Sequence, residues 1–158
     1  MLRKTEQFDL VGFSMGGLLG AYIANRYPVR RLVLLNAAVF YFSPGRMVKT
    51  LIGQIKQGDF SRIRKIRSTP LSLTIEFMKL AGNLYCEFSK LSVPTLVIQG
   101  MKDPVIHPAS AKWLQKTVRS CRQVCYFSRS GHKICLDEEQ EEVNRRVEAF
   151  LKEEDEVR

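Results

Sequence analysis

Residues with the types that acyl-transfer chemistry needs stand at three places in this 158-residue chain, each just past an apolar run. Gly12-Phe13-Ser14-Met15-Gly16-Gly17 fits the pattern Gly-x-Ser-x-Gly. So short a pattern also arises by chance, and its context decides its weight. Here an apolar run, Phe8-Asp9-Leu10-Val11-Gly12-Phe13, precedes the serine, and a helical pattern starts at Met15. That is the strand–turn–helix setting in which a serine hydroxyl is pushed out on a tight turn. Glycines two residues to either side are expected there, because bulkier residues would meet the adjoining backbone. The new helix also aims its free N–H groups and positive dipole end at the turn, which predicts that the Met15 N–H can bind an oxyanion. A serine hydroxyl is a poor nucleophile without a base, and the base needs an orienting acid. Asp103 follows the apolar run that ends at Gly100, and His132 follows the run that ends at Phe127, giving the chain order Ser, Asp, His.

Each of these residues has a plainer reading. Ser14 has the type of a turn serine, Asp103 of a turn former before Pro104, and His132 of a surface loop histidine, but the strand–turn–helix context and the chain order favour the catalytic reading of all three. His107 reads as a loop or cap residue. Asp137 opens the last helical pattern and is read as part of a helix start rather than as the acid. Cys121, Cys125, His132 and Cys135 can be drawn as a metal set, but their spacing matches no common zinc pattern, and each cysteine sits where a small apolar residue would serve.

The elements that must hold these residues follow from hydrophobic periodicity. Phe8–Phe13 reads as a buried strand. Leu18, Leu19, Tyr22 and Ile23 recur at helical spacing, and Pro28 stops that helix. Arg31–Asn36, Val93–Gly100 and Gln123–Phe127 read as further buried strands. Pro108–Val118, with Trp113 and Leu114, reads as a helix. Asp137–Glu154 reads as the last helix, with Val143, Val147 and Leu151 on one face and an acidic first turn of Asp137, Glu138 and Glu139 suited to the helix dipole. Ser43 to Ser92 is basic and amphipathic. Gly53, Gly58, Pro70 and Gly82 are expected to break it into several short helices. Strands apolar throughout, alternating with helices, predict a parallel sheet covered on both faces. In such a sheet the loops carrying Ser14, Asp103 and His132 share the C-terminal edge.

These motifs, with Gly100 to Val105 and Ser130-Gly131-His132, give a sequence that resembles the C-terminal part of an α/β-hydrolase, near the small carboxylesterase and monoglyceride-lipase-like serine hydrolases. The resemblance covers essentially the whole chain. It implies a partial α/β-hydrolase fold: a mostly parallel sheet of about four strands, helices on both faces and a helical cap insertion. It divides the chain into residues 1–42 (first part of the core, with the nucleophile elbow), 43–92 (cap or lid) and 93–158 (second part of the core). It implies Ser14 as nucleophile, His132 as general base, Asp103 as orienting acid and the Met15 N–H as oxyanion donor, acting on carboxylic esters with no organic cofactor and no metal. Phe77, Met78, Leu80 and Leu84 are read as cap core before acyl-pocket lining. The family places its nucleophile after the fifth of eight strands, whereas here it is residue 14. Strands one to four and the second oxyanion N–H donor are therefore expected to be missing. Loss of one such donor typically costs about 10²–10³ in rate. The Phe8–Phe13 strand is expected to be an exposed apolar edge. A homodimer, or a complementing N-terminal half, is the expected partner. The alternative is a non-catalytic product: a truncated or degenerate chain, or an interaction module that pairs through this edge.

Composition narrows the remaining classes. At 45% hydrophobic and 26% charged residues the chain is neither disordered nor fibrous. No apolar run is long enough for a membrane-spanning helix. The first residues are basic without an apolar stretch, so no secretory signal is expected, and reduced thiols and a cytoplasmic location follow. The net charge of +9 splits into +15 over residues 1–135 and −6 over residues 136–158. The densest basic stretch, Arg46 to Arg67, interleaves apolar residues and reads as the solvated face of amphipathic helices rather than as a nucleic-acid site.

Overall fold

The computed structural model describes residues 6–40 and 71–153, and side chains from residue 79 onward in the second of these. Four strands, β1 (Phe8–Phe13), β2 (Val29–Leu35), β3 (Thr95–Gly100) and β4 (Cys121–Phe127), form one sheet in the order β1-β2-β3-β4. All neighbouring pairs are parallel. The helices are α1 (Met15–Ala24), α2 (Leu71–Ser89), α3 (Ala109–Thr117) and α4 (Gln140–Lys152), with a 3₁₀ turn over Ile134–Leu136.

Alternation along the strands sends side chains to two separate cores. Leu32 and Leu34 join Leu18, Ala21, Phe88 and Leu114 on one face. Val33 and Leu35 join Leu96, Ile98, Ile134 and Phe150 on the other. Both faces are thus covered, and β3 is buried along its whole length. The expected apolar face of the last helix is present: Val143 is buried in the second core, and Val147 and Leu151 pack against it.

Several boundaries differ from expectation. β2 starts at Val29 and ends at Leu35, because Asn36 leaves the strand with a positive φ of 43°. β3 starts at Thr95, after Pro94, which has no N–H for the ladder. β4 begins at Cys121, earlier than its apolar core suggests.

Two expectations are corrected. Gly82 does not break the 71–89 segment; α2 is one helix of 19 residues, and a Cβ at Gly82 would meet no atom within 4 Å. Its second half is held by burial, since Ala81, Leu84 and Phe88 insert into the first core. The last helix begins at Gln140, so its acidic first turn is Glu141 and Glu142. Asp137 and Glu139 lie ahead of it and are taken by the loop that carries His132: Asp137 Oδ2 accepts the Gly131 N–H, and Glu139 Oε2 accepts the Arg129 N–H and the Ser130 hydroxyl. The Arg46–Arg67 stretch and most of the 43–92 segment lie outside the described residues.

Candidate active site

Ser14 occupies the single-residue turn between β1 and α1, with φ 53° and ψ −118°. Its backbone is fixed on both sides. The Ser14 N–H donates to the Leu35 carbonyl at 2.9 Å, and the Ser14 carbonyl accepts from Ala38 at 3.0 Å. The glycines explain how so sharp a turn packs. A Cβ on Gly12 would lie 2.5 Å from the Gly16 carbonyl oxygen, so helix and strand touch there. Gly16 does not play the matching part expected of it, because a Cβ there meets nothing within 4 Å. The second close approach is at Gly17, where a Cβ would lie 2.7 Å from that of Ala37. Met15 opens α1, and the N–H groups of a first helical turn have no carbonyl four residues back to bond. The Met15 N–H, at the start of α1, adjoins the serine.

Asp103 and His132 are brought together. Asp103 Oδ2 lies 2.8 Å from His132 Nδ1. Its other oxygen, Oδ1, accepts the N–H groups of Val105 at 2.7 Å and Ile106 at 2.9 Å. The carboxylate is fully buried, while the imidazole keeps 22% of its surface. With Nδ1 facing a carboxylate, Nε2 is the nitrogen left for proton exchange. The Phe13 ring packs on the imidazole, their centroids 5.0 Å apart, so the residue preceding Ser14 contacts the histidine directly. Among the described residues Ser14 Oγ makes no hydrogen bond to His132. Such bonds are often long in unliganded sites and tighten when substrate arrives.

The carboxylates that hold the histidine loop were not singled out as site residues. Burial alone would push the Glu139 carboxyl up, but hydrogen bonds from Ser130 and Arg129 outweigh it and leave it below the usual range. Their sequence signal, an acidic cluster five to seven residues past His132, is indistinguishable from a helix start.

The other candidates fall elsewhere. His107 sits in the turn before α3, where its Nδ1 accepts the Ala109 N–H at 3.0 Å. Cys121 packs on the first core and Cys125 on the second, so the drawn metal set is split across the sheet. Among the described residues no group of three or more His, Cys, Asp or Glu side chains is placed to hold a metal ion. Leu84 is buried against α1, and Leu80 is 39% exposed. The side chains of Phe77 and Met78 lie outside the described residues. Beside Phe13 is an open apolar hollow of about 440 Å³, lined by Phe13, Lys133, Cys135 and Leu136. Among the described residues no helix is long and apolar enough to cross a membrane.

A parallel sheet covered on both faces, a strained serine at a strand–helix turn and an Asp–His pair on neighbouring loops of one edge define an α/β-hydrolase core. The family described as Serine aminopeptidase, S33 (Hydrolase_4) matches residues 61–139, half of the chain, including Asp103 and His132. The chain belongs to this family. It is 24% identical to a carboxylesterase of Bacillus subtilis over 162 residues, covering 94% of this chain and 66% of that protein. It is 33% identical to monoacylglycerol lipase abhd6-A of Xenopus laevis over 99 residues, 61% of this chain and 28% of that one. Among solved structures, an esterase from Exiguobacterium antarcticum superposes with a TM-score of 0.62 at 26% identity, covering 92% of this chain and 66% of the esterase. The chain thus spans just under two thirds of the length of relatives it matches nearly end to end.

Proposed function

We propose that the chain hydrolyses carboxylic esters through an acyl-enzyme. Ser14 Oγ attacks the ester carbonyl while His132 Nε2 takes its proton. Asp103 holds the imidazole and stabilises its positive charge. The Met15 N–H binds the oxyanion of the tetrahedral intermediate. Collapse expels the alcohol, which receives the proton from His132; water then attacks the acyl-enzyme in the same way and releases the acid. The observation that carries this reading is the 2.8 Å contact between His132 and a fully buried Asp103, with His132 packed on Phe13, the residue before Ser14. Relatives named as a carboxylesterase and a monoacylglycerol lipase support the ester class. The apolar hollow beside Phe13 suits an acyl chain. No organic cofactor or metal enters this chemistry. Four cysteines without a disulfide fit a reducing cytoplasm.

The test is reaction with a fluorophosphonate probe, which phosphonylates an activated serine. The folded chain is expected to label at Ser14, and Ser14→Ala and His132→Ala each to lose the label. A folded protein that stays unlabelled would sink the reading.

A second reading has its own observation. β1 pairs only with β2 among the described residues, and Val11 on it is 46% exposed. A non-catalytic module that pairs through this free edge, with a second copy or with a complementing N-terminal half, would use such a strand. Inertness toward the probe together with dimers in sedimentation would favour it.

A further inference from the structure

We propose that Asn36 is a positioning residue that locks the acid and histidine loops to the end of β2 and so sets the geometry of His132. This rests on the hydrolase reading above. Asn36 is fully buried, and both its amide hydrogens and its carbonyl oxygen are hydrogen-bonded. Nδ2 donates to the carbonyls of Gly131 and of His132 itself, each at 2.9 Å. Oδ1 accepts the Gly100 N–H at 2.7 Å. Its own N–H donates to the Ile98 carbonyl at 2.9 Å. One side chain thus bridges the strand end from which the Asp103 loop departs and the backbone of the catalytic histidine. The flanking residues Leu35 and Ala38 hold the Ser14 backbone through its N–H and its carbonyl. The segment 35–38 therefore touches all three loops of the site.

The residue type follows from this placement. Two carbonyls and one N–H demand two donors and an acceptor from one short side chain, which is the inventory of an amide. An ionised Asp of the same shape would turn an oxygen toward two carbonyl oxygens. An apolar side chain would leave three buried polar groups without these bonds. The positive φ is tolerated by asparagine better than by most residues. The loops it joins already press together, for a Cβ on Gly100 would lie 2.6 Å from the carbonyl oxygens of both Ser130 and Gly131. Among the described residues these are the hydrogen bonds that tie the His132 backbone to the end of β2. Drift of about 1 Å in a reacting group costs on the order of 10² in rate.

The test uses Asn36→Gly, which keeps the positive φ unstrained and deletes the side chain, and Asn36→Asp, which keeps the shape and removes both donors. Fluorophosphonate labelling is measured over a range of probe concentrations, and the His132 Nδ1 resonance is followed by nitrogen NMR. Positioning predicts that the maximal labelling rate falls roughly 10²-fold while the half-saturating probe concentration stays within about twofold, since the probe site itself is untouched. It also predicts that the Nδ1 resonance moves toward that of free imidazole. A folded variant that labels at the wild-type rate with an unmoved resonance overturns the proposal. So does failure of both variants to fold, which would make Asn36 a residue of stability. The NMR readout needs no activity: a wild type that never labels defeats the hydrolase reading, and the His132 resonance in the variants still decides the role of Asn36.

Discussion

Gly12 and Gly16 stand symmetrically about Ser14 in the sequence and unequally in the turn. A methyl group on Gly12 runs into the backbone of α1, whereas one on Gly16 points into open space. Gly12→Ala is therefore expected to lower stability by about 1–3 kcal/mol and to slow labelling of Ser14 by displacing the helix start. Gly16→Ala is expected to be neutral, or to stabilise by up to about 1 kcal/mol, through helix propensity. Thermal melts of the two variants check this, and equal destabilisation by both would contradict the geometry. Gly17→Ala should behave like Gly12→Ala, because its Cβ would meet that of Ala37. The cysteines offer a second check at this scale. Burial pushes the Cys121 and Cys125 thiols up, so alkylation of the folded chain at neutral pH should begin at exposed Cys86 and reach these two last. Peptide mapping after brief iodoacetamide treatment reads the order.

Among the elements, α1 and α2 depend on one another. Glu87 on α2 accepts hydrogen bonds from Arg26 at 2.8 Å, from Asn25 at 2.9 Å and from Lys90 at 3.1 Å, binding the C-terminal end of α1. The Arg26 guanidinium, with Asn25 and Lys90, holds the Glu87 carboxyl down at about 2 against an ordinary 4.5. A carboxyl with a depressed folded-state value contributes stability that is present above 4.5 and disappears as pH falls toward 2. Denaturant midpoints should therefore decline as pH falls from about 4.5 toward 2, and less steeply in Glu87→Gln. A Glu87→Gln profile that parallels the wild type would remove this ion pair from the account. Beside Glu87 on α2, Phe88 is fully buried, with its ring packed edge to face on Trp113 of α3. Phe88→Ala is expected to cost about 3–5 kcal/mol, measured as a lower denaturant midpoint. At the opposite face, Arg30 donates to the Leu151 carbonyl at 2.9 Å and Arg31 to the Glu153 carbonyl at 2.7 Å, so β2 caps the end of α4 with positive charge.

For the whole molecule, the sheet has two central strands and two edges, β1 and β4. β2 and β3 are buried, whereas β1 has a partner on one side only among the described residues and leaves Val11 and Phe13 more than 40% exposed. Relatives matched along nearly all of this chain are about half as long again. An uncovered apolar edge associates. Sedimentation of the chain is expected to show concentration-dependent assembly, and Val11→Lys to shift it toward monomer. A wild-type chain that stays monomeric at high concentration would count against an active edge.

The sequence by itself determined the kind of fold and marked out the residues that the proposed chemistry would use. Apolar runs such as Arg31-Leu32-Val33-Leu34-Leu35 specify buried parallel strands because both faces of the strand must be covered, and glycine two residues before Ser14 marks a place in the turn that tolerates no bulk. Asp103 and His132 were legible because each follows such a run. The tertiary structure alone decided which groups meet. No local signal distinguishes Asn36, the last residue of an expected strand, from a surface asparagine; its three side-chain partners lie 64, 95 and 96 residues away. Asp137 and Glu139 read as a helix start because acidic residues favour that position, and only the nearby N–H groups of the histidine loop divert them. Helix α2 runs through Gly82 for a like reason, since the cost of one exposed glycine is small beside the burial of Ala81, Leu84 and Phe88. Periodicity and turn chemistry are properties of neighbours along the chain. Hydrogen-bond partnerships between loops depend on where strands end in space, which the sheet register sets.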